Sequence, residues 1–234
     1  MIQIRKSEER GHANHGWLDS HHTFSFANYF DPEYMGFRTL RVINEDRVSP
    51  GQGFGMHPHR DMEILSYVLE GSLAHKDSMG RQEILGPNEI QRMSAGTGIT
   101  HSEFNPSPAE PVHFFQIWIE PDKRGAKPDY QQTRFGAEQK KDKLLRLAGP
   151  AGSDGLSHIN QDAHVFVAAP GQGIEIPYAL GAGRGAWIHA VRGAVTVNGV
   201  QLQEGDAAAV TGENELRLAG SGPESNELLL FDVA

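Results

Sequence analysis

The sequence predicts an all-β protein in which one sandwich or barrel is duplicated in tandem. Three observations predict it. Short segments of alternating apolar and polar residues recur along the chain, and helical periodicity is weak throughout. Turn residues separate them, as at Ser49-Pro50-Gly51, Gly86-Pro87-Asn88 and Asn198-Gly199, a spacing that argues for a sandwich or barrel. The two halves also share a motif. Tyr67-Val68-Leu69-Glu70-Gly71 is echoed by His189-Ala190-Val191-Arg192-Gly193, each a strand ending in glycine before another alternating strand.

The elements follow in order. Ile2–Arg5 opens as a strand, and the alternation of His22, Phe24 and Phe26 predicts a second with one buried face. Asp31-Pro32-Glu33-Tyr34-Met35-Gly36 reads as a turn. Strands are then expected at Thr39–Asn44, Glu63–Glu70, Leu73–Lys76, Gln82–Leu85, Ile90–Met93 and Val112–Ile119. The polar, Pro-broken stretch from Pro121 to Pro150 reads as the crossover, giving domains at residues 1–133 and 134–234. Its run Lys140-Lys141-Asp142-Lys143 is expected to be a solvated face. Strands resume at Trp187–Val191, Ala194–Val197, Val200–Leu202, Ala207–Val210, Glu215–Leu218 and Glu227–Val233, with Asn198-Gly199 as a hairpin turn.

Composition narrows the function. With 234 residues, 38% of them hydrophobic, the chain can bury a core. A formal net charge of −9 disfavours direct nucleic-acid contact, which needs a basic patch. The absence of cysteine removes disulfides, thiolate ligands and thiol nucleophiles. The charged start lacks a signal peptide's apolar run, and no stretch approaches the roughly 20 apolar residues of a membrane helix. The expectation is a cytoplasmic monomer.

Chemistry concentrates in Gly55-Met56-His57-Pro58-His59 and His101-Ser102-Glu103. In a strand, side chains at i and i+2 share a face. His57 and His59 therefore aim at one volume, as do His101 and Glu103. If the two strands are neighbours, three imidazoles and one carboxylate converge, a donor set suited to a divalent first-row transition metal. Glycines precede both pairs and allow close backbone approach. Pro58 cannot donate to a ladder and marks an edge or bulge. Phe54, Met56, Phe104 and Phe115 are candidate apolar walls. His12, His15, His21 and His22 read as histidines with local hydrogen bonds, and His189 as a strand histidine with a structural one.

These residues resemble a cupin. Gly51, His57, His59, Glu63 and Gly71 follow the first cupin motif, and Gly98, His101 and Asn105 the second. Gly16-Trp17-Leu18-Asp19-Ser20, His22-Thr23-Phe24-Ser25-Phe26, His57-Pro58-His59 with Asp61-Met62-Glu63, and Ser94-Ala95-Gly96-Thr97-Gly98 resemble the pirin-like bicupins more specifically. The resemblance covers most of residues 1–120 and is loose over residues 135–234. It implies two jelly-roll-type cupin barrels with a metal site only in the first. That site is held by His57, His59, His101 and Glu103, and Glu63 lies off the metal. The metal implied is Fe(II), with Ni, Cu, Mn, Co and Zn as the other candidates.

Some bacterial pirin-like proteins are similar to quercetin 2,3-dioxygenases, which open the central ring of a flavonol with O₂ and release CO. The resemblance thus implies a flavonol and O₂ as partners, and Glu103, a carboxylate at the metal within reach of the substrate, is the candidate catalytic acceptor of the 3-hydroxyl proton. Four protein ligands on a six-coordinate ion leave two places open, as a reactive site requires. The alternative, from eukaryotic pirins, is a metal-dependent redox sensor or regulatory binding protein without turnover. An entry route wide enough for a three-ring substrate separates the two.

Overall fold

The computed structural model describes residues 1–223 and 225–234, and its described part is built almost wholly from antiparallel strands. A nine-stranded sheet forms the first half, and a seven-stranded and a four-stranded sheet form the second. The centre of the first half is the pairing of two long strands, Gly53–Glu70 and Glu89–Phe104. On its other edge Gly53–Glu70 pairs with Val112–Ile119, which pairs in turn with Leu40–Val48. Among the described residues no helix is long and apolar enough to cross a membrane.

Strand parity decides which residues face which core. On Val112–Ile119, Phe115, Ile117 and Ile119 join a core shared by both halves, with Val165, Val167, Trp187, Leu229 and Phe231 of the second half. The alternate residues Val112, Phe114, Gln116 and Trp118 turn to the opposite face. In the second half, Phe166, Ile188, Val195, Leu218 and Leu230 fill a separate interior. The halves are thus joined by two apolar sheet faces, with a buried ion pair, Arg10 to Glu45 at 2.9 Å, beside them.

The structure is all-β and two-barrelled, as read from the sequence. It differs in several elements. The strand expected around His22, Phe24 and Phe26 runs earlier, over Leu18–His22. Phe24 leaves it to pack on Trp187, with ring centroids 4.8 Å apart. Strands also form at Asp129–Arg134, Leu145–Gly149, Ala163–Ala168 and Glu175–Ala179, in stretches where none was placed. Lys140 is not solvated: its Nζ is buried on Glu227 at 2.8 Å and the Tyr67 hydroxyl at 3.0 Å. The opening strand Ile2–Arg5 pairs with Ala207–Thr211, so the start of the chain lies in the sheet of the second half.

Candidate metal centre

His57 and His59 sit within Gly53–Glu70, and His101 and Glu103 within Glu89–Phe104. The two strands are antiparallel, with His57 directly opposite His101 and Phe54 opposite Glu103. Register shifts flank Pro58, between Phe54 and His57 and between His59 and Asp61. Asp61 has a φ of 65°, the left-handed conformation common in bulges. The proline's missing donor therefore falls in a stretch where the ladder is already broken.

The three imidazoles converge. Ring centroids are 4.4 Å apart for His57 and His101, and 4.8 Å apart for both His57–His59 and His59–His101. Their ligating nitrogens all lie within 4.8 Å of one another. Nδ1 of His57 is 2.7 Å from the Gly55 carbonyl, which fixes the proton there and leaves Nε2 with its lone pair. His101 is fully buried, and its Nε2 has no hydrogen-bond partner. A buried, unpartnered imidazole nitrogen facing two others is what an ion between them requires.

Glu103 is buried beside His101, and its carboxylate groups with His101 and His75 rather than with His57 and His59. Its carboxylate accepts from Gln116 Nε2 at 2.8 Å and from Ser66 Oγ at 3.3 Å. Its ligating oxygen lies within 4.8 Å of nitrogens of His101 and His75. Burial pushes its pKa up to about 7, the charge of Asp46 adds to this, and the bonds from Ser66 and Gln116 oppose it. Burial lowers His59 to about 4 and His101 to about 2, helped by the neighbouring imidazoles. At neutral pH His59 and His101 are therefore uncharged and their lone pairs are available.

A cavity of about 450 Å³ opens onto His57, His59 and Glu103. Its apolar walls are Leu18, Phe26, Phe54 and Trp118. Of the four aromatic and Met walls expected from sequence, only Phe54 lines it. Met56 and Phe104 are exposed, and Phe115 points into the core between the halves because it alternates with Gln116. The polar floor comes from two paired strands, in which Ser20 stands opposite Asp46 and His22 opposite Asn44. Burial pushes Asp46 up to about 7, against a hydrogen bond from Ser20.

Glu63 lies elsewhere, bonded to Ser94 Oγ at 2.7 Å and to Asn160 Nδ2 at 2.8 Å. His12 and His15 reach the cavity with His22, while His12 also bonds Asp19 at 2.6 Å and stacks on His21. The ligating atoms of His12, Asp19 and His21 fall within 4.8 Å of one another. His189 is fully buried but neither ring nitrogen has a partner, contrary to the structural hydrogen bond expected of it. Among the described residues, every group of three or more close potential metal ligands lies in the first half.

Three residues went unread. His75 and Asp77 alternate on Leu73–Asp77, directly opposite Glu103 and His101. A His-x-Asp strand beside a His-x-Glu strand was the available signal. Asp46 falls just past the strand expected at Thr39–Asn44, which runs on to Val48.

The fold and this cluster define a tandem cupin with a histidine-rich, metal-type centre in its first barrel. Residues 3–119 match the Pirin family model, and residues 146–233 match that of the quercetinase C-terminal cupin domain. The chain belongs to the pirin family. It is 50% identical over 233 residues to a quercetin 2,3-dioxygenase of Escherichia coli (strain K12), covering 100% of this chain and 99% of that one. It is 39% identical over 235 residues to a pirin-like protein of Caulobacter vibrioides, with both chains covered in full. The crystal structure of the bacterial pirin YhhW from Escherichia coli in complex with nickel(II) superposes with a TM-score of 0.94 at 48% identity, covering 100% of this chain and 99% of that one.

Proposed function

We propose that this protein is a metal-dependent flavonol dioxygenase of the quercetin 2,3-dioxygenase type. His57, His59, His101 and Glu103 would hold one divalent transition metal, Fe(II) or one of its first-row neighbours. Such an ion supplies Lewis acidity toward an anionic oxygen and a path for electrons to O₂.

The chain's own groups do the rest. Glu103 takes the proton of the flavonol 3-hydroxyl, as a carboxylate within hydrogen-bond reach of the substrate can. Ser66 and Gln116 keep that carboxylate oriented. Phe26, Phe54, Trp118 and Leu18 offer flat apolar surface to the rings and exclude water from them.

The observation that carries this reading is the cavity. A volume of about 450 Å³ beside the histidine cluster lies within the roughly 300–1,000 Å³ of small-molecule sites. A redox sensor needs no such chamber, and this favours turnover over the regulatory reading. The name of the half-identical Escherichia coli relative supports the substrate class. The test is aerobic incubation of metal-reconstituted protein with quercetin, following flavonol absorbance and head-space gas. Loss of the flavonol with one CO released per O₂ consumed is expected. Protein that is metal-loaded and folded yet leaves quercetin intact contradicts the proposal.

A further inference from the structure

We propose that Asp46 reads the substrate's peripheral hydroxyls: its carboxylate accepts a hydrogen bond from a phenolic hydroxyl remote from the one Glu103 deprotonates. This inference rests on the flavonol reading of the cavity and names a specificity residue within it.

Position is the first argument. Asp46 lines the cavity from Leu40–Val48. Two residues earlier on the same face is Asn44, directly opposite Gln116, whose amide holds Glu103. Two residues along a strand is about 7 Å. A ligand anchored at Glu103 by one hydroxyl therefore reaches Asp46 with a hydroxyl on another ring.

The second argument is the missing partner. Asp46 is 4% exposed, and among the described residues it has no basic side chain in ion-pair range. Its one hydrogen bond is from Ser20 Oγ to Oδ1 at 2.5 Å. Among the described residues nothing donates to Oδ2. A buried carboxylate is normally paired or fully hydrogen-bonded. Here the free oxygen borders a cavity, and what it lacks is a donor.

The third argument is the shape of the surroundings. Leu18, Phe26, Phe54 and Trp118 supply apolar surface, whereas Ser20, Asp46, His22 and Asn44 form a narrow polar floor. An aromatic body with hydroxyls on its rim matches that division. A phenolic O–H on a carboxylate is a charge-assisted bond, and a site built around one rejects the analogue that lacks the hydroxyl.

The test separates this claim from its parent by measuring binding without turnover. The full chain is loaded with Zn(II), and dissociation constants are measured from absorbance shifts for quercetin and for 3-hydroxyflavone, which lacks every peripheral hydroxyl. The wild-type protein is expected to prefer quercetin by about tenfold to a hundredfold, the range for a hydrogen bond to a charged group. Asp46→Ala and the near-isosteric Asp46→Asn are each expected to reduce that ratio by about tenfold, and the second serves if the first does not fold. Galangin and kaempferol then locate the ring that is read. A ratio within twofold of wild type in the folded variants overturns the inference, as does a wild-type protein with no preference. If the preference holds and depends on Asp46 but quercetin is not consumed in air with a redox-active metal, the dioxygenase reading fails and this one stands. If wild type binds neither flavonol, both fall.

Discussion

Nδ1 of His75 lies 3.4 Å from Nδ1 of His101, at the edge of the ring turned away from its bare Nε2. Nε2 of His75 lies in turn 3.3 Å from Asp77 Oδ2. One proton arrangement satisfies the chain. His101 donates from Nδ1 to His75, and His75 donates from Nε2 to Asp77, so the lone pair of His101 Nε2 faces His57 and His59. Outer partners of this kind orient a metal-binding imidazole, and their loss costs about 10–100-fold in metal affinity. His75→Ala is expected to weaken metal binding by that factor in a chelator competition on the folded protein, and to lower its stability as well, because the buried Asp77 and His101 lose a partner. Unchanged affinity contradicts the relay.

Glu103→Gln removes the proton acceptor and keeps the shape. At saturating metal, kcat for quercetin is expected to fall by about 10²–10⁴, the usual worth of a positioned base. The dissociation constant for quercetin on the zinc-loaded variant should move far less. A drop in affinity with kcat unchanged would assign Glu103 to binding rather than to proton transfer.

Two glycines near the site make a matched pair. A Cβ on Gly53 would stand 2.2 Å from the Glu103 carbonyl oxygen and 2.5 Å from the Phe104 Cα, whereas one on Gly55 meets nothing within 4 Å. Gly53→Ala must therefore push apart the strands that place Glu103, at about 1–3 kcal/mol by analogy with overpacking. Gly55→Ala should stay within about 0.5 kcal/mol of wild type. Urea unfolding of the two variants checks the contrast, and equal stabilities contradict it.

How much of this was legible in the sequence depends on whether the signal was local. Parity alone puts Glu63 on the face of His57 and His59, and the resemblance to pirins was needed to set it off the metal; the register shift between His59 and Asp61 is what turns it instead toward Ser94 and Asn160. Asp46 was not legible because Asn44-Glu45-Asp46 is poor in β-formers and reads as a strand end. Tertiary partners override that preference: Glu45 is held by Arg10 and His113, and Asp46 by Ser20. The pairing of Ile2–Arg5 with the second half spans some two hundred residues, and no local pattern encodes it. Lys140 looked solvated for the same reason, since its partners Tyr67 and Glu227 lie far away in sequence.

His189 gives a pH prediction. Burial pushes its pKa down to about 3, the charge of Arg10 acts the same way, and Glu45 and Asp206 oppose both. In the unfolded chain histidine titrates near ~6.5. As pH falls, the unfolded state therefore binds this proton first. Stability that is fully present above about pH 6.5 is lost progressively toward pH 3. His189→Leu lacks this loss. Between pH 7.5 and pH 5, its unfolding free energy should gain on wild type by about 2 kcal/mol. A constant difference between the two proteins across that interval contradicts the assignment.

The most direct test of the central claim, that the first-half cluster carries the chemistry, is quercetin-dependent O₂ uptake by metal-reconstituted wild type and His59→Ala side by side. His59 stands within 4.8 Å of the other two histidines by its ligating nitrogen and packs edge-on against Trp118. The account expects wild type to consume O₂ with quercetin and the folded variant to show no uptake above the protein-free rate. Uptake by His59→Ala at the wild-type rate would place the reaction somewhere else.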